Sequence, residues 1–201
     1  MKKIMMFSVA ITMLMACSKD DDNNSGGGSR ADVILVADLA ADQGTTFFSL
    51  RNNAIIPAED SAGLDSDIAF NATNIYLNGG VSGGGEAAGQ VRSGIFDEVL
   101  AAPASGYLQD NEEAPALSAT RGNAWYIYND GNSMPPFAVL MIPGRVVHLK
   151  TADGGFAKLE LLSYYKGNPD TGSPDFANLQ TRPASRYFTF RYALADSEGK
   201  Y

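Results

Sequence analysis

Side chains able to act on a ligand or substrate are few in this chain, and their scarcity decides much of the reading. Its 201 residues include one Cys, Cys17, and one His, His148. That excludes a disulfide framework, a zinc finger and an HExxH site. Gly80-Val81-Ser82-Gly83-Gly84 matches the GxSxG nucleophile pattern, which needs a strand before the serine, a helix after it and a His base within reach. Glycines crowd this segment, no helical pattern follows it, and His148 is the single possible base, so a glycine-rich loop is expected. The same glycines lack the Lys or helix start of a phosphate cradle. His148 alternates with Val147 and Leu149 and shares its face with Lys150, the pattern of a solvent-facing strand position. The carboxylates are scattered, Glu112 and Glu113 fall in a polar loop, and no pair of catalytic acids stands out. An enzyme is not expected.

Methionine is the more interesting donor. Five of the seven Met residues precede Ala16, which leaves Met134 and Met141. Met141 lies in the apolar run 137–142 and is expected in the core. Met134 sits in Asn129-Asp130-Gly131-Asn132-Ser133-Met134-Pro135-Pro136, a loop whose prolines cannot continue a ladder. Its soft thioether either folds onto the core or is presented to a ligand.

Behind these residues the pattern is that of strands. With 21 Gly, 9 Pro and 19 Phe and Tyr, the composition favours many turns and strands over a helical bundle. Strand-like runs occur at 33–36, 46–50, 68–70, 75–77, 124–128, 137–142 and 186–194. The best hairpin spans 145–165, turning at Ala152-Asp153-Gly154-Gly155, residue types that tolerate positive φ. Alternation sends Val147 and Leu149 to one face and Val146, His148 and Lys150 to the other. On the return strand Ala157, Leu159, Leu161 and Ser163 point inward, with Lys158, Glu160 and Tyr164 outward. Phe188, Phe190, Tyr192 and Leu194 share one face of the last strand. Residues 93–102 are the clearest helix-permissive stretch, ended by Pro103, and 168–174 reads as a loop. The expectation is all-β: one antiparallel domain over 31–201 with hairpins and at most one or two short helices.

The first thirty residues read as an address. Lys2 and Lys3 precede an apolar run at 4–15, too short for a bilayer span, which takes about 20 residues. The run ends Leu14-Met15-Ala16-Cys17, which resembles a bacterial lipobox. Residues 1–16 are then a signal peptide, Cys17 carries lipid, and 17–30 form a flexible Gly/Ser/Asp tether. Asp20, Asp21 and Asp22 beside the Cys are similar to the acidic signal of lipoproteins exported to the outer face of the outer membrane. Without Lys2 and Lys3 the chain carries 13 basic against 23 acidic residues, so nucleic acid and anionic lipid are poor partners.

The hairpin VVHLKTADGGFAKLELLSYYKG at 146–167 resembles the signature of the HmuY-like haem-binding lipoprotein family. Asp67-Ile68-Ala69-Phe70, Asn78-Gly79-Gly80, Trp125-Tyr126-Ile127-Tyr128 and the closing RYFTFRY at 186–192 fall in the family's order. The resemblance implies a surface all-β lipoprotein that holds haem between loops and passes it to a TonB-dependent outer-membrane receptor. It also implies two axial ligands, His or Met. Met134 occupies the loop that commonly carries one of them. The other should follow Ala102-Pro103, where Tyr107 is the nearest donor. Tyr126, Tyr128 and Phe137 would supply walls for the ring. The alternative is a module of the same fold that has lost haem and binds a glycan, peptide or partner protein.

Overall fold

A computed structural model describes residues 30–201; the signal, Cys17 and the acidic run at 20–22 lie outside them. Three antiparallel sheets make up the chain. The largest has five strands in the order β1 (Ile34–Ala40), β11 (Ser185–Leu194), β10 (Phe156–Tyr165), β9 (Arg145–Lys150) and β6 (Ala88–Ser93). The second runs β3 (Ala54–Ile56), β2 (Thr46–Ser49), β4 (Ile68–Asn71), β5 (Asn74–Leu77). The third is the hairpin of β7 (Tyr126–Asn129) and β8 (Ala138–Met141). The all-β expectation holds. Among the described residues one α-helix occurs, α1 (Pro174–Ala177), capped where the Ser173 hydroxyl accepts from the Phe176 amide.

Alternation explains how the two larger sheets meet. Val147, Leu149, Ala157, Leu159, Leu161, Phe188, Phe190 and Tyr192 point into one buried cluster with Phe48, Ile68, Phe70, Ile75 and Leu77. Aromatic rings interlock across it: Phe48 meets Phe190 edge-on at 5.6 Å, and Phe70 lies 4.5 Å from Phe188. Such a layer is the sandwich solution to two half-apolar sheets. The β9–β10 hairpin turns where expected, with Gly154 at φ +89° and Phe156 opposite Lys150.

The other face of the large sheet departs from expectation. His148 and Lys158 are not solvent-facing; they are 4% and 5% exposed. Phe96, Val99, Ala102 and Tyr201 pack with Val146 and Ala193 into a second apolar layer over this face. Lys158 Nζ donates to the carbonyls of Phe96 (2.9 Å) and Val99 (2.8 Å) and stands over the rings of Phe96 and Tyr201. In a helix through 93–102 the Phe96 carbonyl would accept from the Leu100 amide, whereas Pro103 has no N–H to offer the Val99 carbonyl. Only the 3₁₀ turn Phe96–Glu98 forms there, and Val99 is already extended. Tyr164 is a further correction. The register of β10 against β11 shifts between Leu161 and Ser163, and this bulge brings Tyr164 into the main cluster instead of outward.

Candidate ligand cleft

Tyr126 on β7, Phe137 and Val139 at the start of β8, and Tyr164 on β10 wall one open cleft of about 650 Å³. Leu179 and Arg182, from the segment that leads into β11, and Arg186, at the start of β11 itself, complete its lining. That volume falls within the range of small-molecule sites, about 300–1,000 Å³. Two further cavities, one lined by Met134 and one by Tyr107, have nearly the same volume, about 620 and 610 Å³. A cavity of about 200 Å³ beside Phe47 and Tyr76 on the second sheet falls short of the range.

The cleft's shape comes from local backbone. Ala72, Phe137 and Arg186 line it, and each holds positive φ, at 51°, 51° and 67°. They are three of the six non-glycine residues in that region among those described. Side chains rarely adopt this conformation, at a cost of about 1–3 kcal/mol each, and such strain gathers at functional sites. Gly131 makes room for Phe137, since a Cβ there would approach its ring to 2.7 Å. Trp125, buried in the main cluster, lies 4.5 Å from the Tyr126 ring at a tilt of 56° and backs that wall. Tyr128 and Phe137 remain 60% and 55% exposed, so apolar ring surface faces solvent at the mouth.

Polar groups concentrate on the other side. Arg182 donates from Nε to the Phe176 carbonyl (2.8 Å) and from Nη1 to the Phe137 carbonyl (3.2 Å), with its plane 4.7 Å over the Phe176 ring. Its Nη2 is buried with no acceptor among the described residues. Arg186 lines the cleft together with Tyr164. Burial pushes that phenol's pKa up, and the guanidinium opposes the shift. No carboxylate lines the cleft.

The residues expected to bind a ligand are divided. Tyr126 and Phe137 line the cleft. Met134, 73% exposed, lines a neighbouring cavity with Pro135, Ser173, Pro174 and Asn178, so the 134–137 loop borders both spaces. The Asn129 side chain holds that loop by donating to the Met134 and Pro135 carbonyls (3.1 and 3.3 Å). Tyr107 lies elsewhere. It packs at 5.7 Å on Phe156 and lines a third cavity with Glu86 and Lys150. Its buried hydroxyl has no partner among the described residues, and desolvation pushes it up to about 12. Met134 and Tyr107 are therefore not brought to opposite sides of one space. Ser82 sits in a glycine-rich loop with no helix after it, and the next regular element is β6. No group of three or more His, Cys, Asp or Glu gathers among the described residues.

Arg182 and Arg186 escape a sequence reading that seeks His, Met and Tyr. A signal was present nonetheless. Residues 176–195 contain three Arg and not one Asp or Glu, in a chain whose net charge is −8.

No protein-family model matches the chain, and no curated protein does. Solved structures do. The apo HmuY analogue TFO of Tannerella forsythia superposes with a TM-score of 0.52 at 13% identity, covering 83% of this chain and 96% of its own. Apo PinO of Porphyromonas gingivitis gives 0.50 at 13% identity, covering 84% and 99%. At such identities the likeness establishes the fold: this chain folds as the HmuY-like proteins do.

Proposed function

We propose that the chain is a surface lipoprotein that binds haem in the cleft between the β7–β8 hairpin and the 179–186 segment, without catalysing a reaction on it. The observation that carries this reading is the pairing of aromatic walls with two guanidiniums that have no carboxylate partner. Haem is a flat apolar ring with two carboxylates, and that lining suits both parts. Burying the ring against Tyr126, Phe137 and Tyr164 supplies most of the affinity, at about 25 cal/mol per Å² of apolar surface. Met134, on the loop beside Phe137, is the thioether available to the iron. A thioether favours the reduced metal. Tyr107, on another face and fully protonated at neutral pH, is left out of this site. Handover to a TonB-dependent receptor and attachment through Cys17 at the outer membrane complete the proposal.

Titrating the purified domain with haemin, oxidised and then reduced, tests it. A Soret shift on binding is expected, and Met134→Ala should weaken binding most in the reduced state. Absence of any Soret change in both states would sink the reading. The separation of Met134 from Tyr107 favours the alternative in that event: a module of this fold that takes a glycan, peptide or partner protein.

A further inference from the structure

We infer that Arg186, with Arg182 behind it, selects the ligand by its carboxylates, so that the cleft discriminates on negative charge ahead of iron. This rests on the cleft being the binding site proposed above. The ion pairs among the described residues use Arg51, Lys150, Arg191 and Lys200 as their cations. Arg182 and Arg186 take part in none of them. In a chain of net charge −8, two unneutralised guanidiniums on one cleft with aromatic side chains in its wall set a local field opposite to the rest of the surface.

The Arg182 guanidinium is held in place before a ligand arrives. Arg182 is pinned by the Phe176 and Phe137 carbonyls and the Phe176 ring. Arg186 leaves a left-handed backbone at φ +67°, which fixes where its side chain departs from the chain. A preplaced guanidinium loses little freedom on binding and matches a carboxylate with two parallel donors. Donors for iron are sparse by comparison: the single His is buried on the far face of the large sheet, and Met134 opens onto a neighbouring cavity. Ring shape and carboxylates thus outweigh the metal.

Three ligands separate these contributions: haemin, metal-free protoporphyrin IX, and the dimethyl ester of haemin. Binding is read by Soret absorbance for the iron compounds and by porphyrin fluorescence for the free base. The two diacids should bind within about tenfold of each other, and the diester at least about tenfold more weakly than haemin. Arg186→Gln should weaken both diacids by about tenfold or more and leave the diester unchanged, while Arg186→Lys recovers part of the loss. Arg186 is exposed, so these variants spare the core. Circular dichroism confirms their fold. Diester binding as tight as haemin, or unchanged haemin binding by Arg186→Gln, overturns charge selection and leaves the haem reading standing. Failure of the wild type to bind any of the three overturns both.

Discussion

His148 faces Gln90 of β6 on one side and Lys158 of β10 on the other. Burial pushes its imidazole down to about 4, and the charges of Arg92 and Lys158 act in the same direction. The unfolded chain, with an ordinary imidazole near 6.5, therefore takes up this proton first. Its contribution to stability is complete above about pH 6.5 and declines toward pH 4, by at most about 1.4 kcal/mol per pH unit. Urea melts across that window should show a shallower pH dependence for His148→Gln than for wild type. Equal slopes would assign the acid sensitivity to other groups. Lys158 calls for a companion measurement. Lys158→Ala strips the donors from the Phe96 and Val99 carbonyls and should cost about 1–3 kcal/mol, approaching the 2–5 kcal/mol expected for Leu159→Ala. A loss near zero would mean that the layer over this face does not need its ammonium. Alternation along 145–161, up to the bulge, divides the side chains between the two faces correctly. It carries no information about whether a face is covered, because the cover comes from residues 96–102 and Tyr201, distant in sequence.

The β7–β8 hairpin pairs with no other strand, so side-chain packing and a hydrogen bond to Tyr165 attach it. Ala138 and Val139 are buried in the main cluster, and the Val139 amide donates to the Tyr165 hydroxyl at 3.0 Å. Tyr165→Phe leaves that buried amide without an acceptor and should cost about 1–2 kcal/mol. Hydrogen exchange should rise across 126–141 and stay slow across 156–161. Uniform change over both segments would show that the hairpin opens only with the whole sheet. Most strand runs were legible because a half-buried strand writes period two into its sequence, and 186–194 shows it cleanly in Phe188, Phe190 and Tyr192. Residues 93–102 were not, since Lys158 competes for the Phe96 carbonyl from about sixty residues away. Tyr164 was misread because a bulge reverses the alternation without altering the residue types that carry it.

For the molecule as a whole, the charge balance and the N-terminal address bear on where the cleft works. Cys17→Ala should shift the protein from the membrane fraction to the soluble one. A variant that stays with the membrane after signal removal would contradict lipidation. Replacing Asp20, Asp21 and Asp22 with Ala should preserve lipidation and reduce cleavage by protease added to whole cells. The candidate site was half legible. Tyr126 and Phe137 flank a loop whose prolines and glycine mark it, whereas the two arginines acquire meaning only when the 179–186 segment folds back against that loop.

The two faces of the large sheet also carry one natural reporter each. Trp125, the chain's single tryptophan, lies within the layer between the sheets, and His148, its single histidine, lies beneath the outer layer. Indole fluorescence and the imidazole proton resonances thus follow the loss of each layer separately, with no label introduced. Both layers are built on the same strands, Leu159 serving one and Lys158 the other. The two signals should therefore disappear at a single denaturant midpoint, as cooperative unfolding requires.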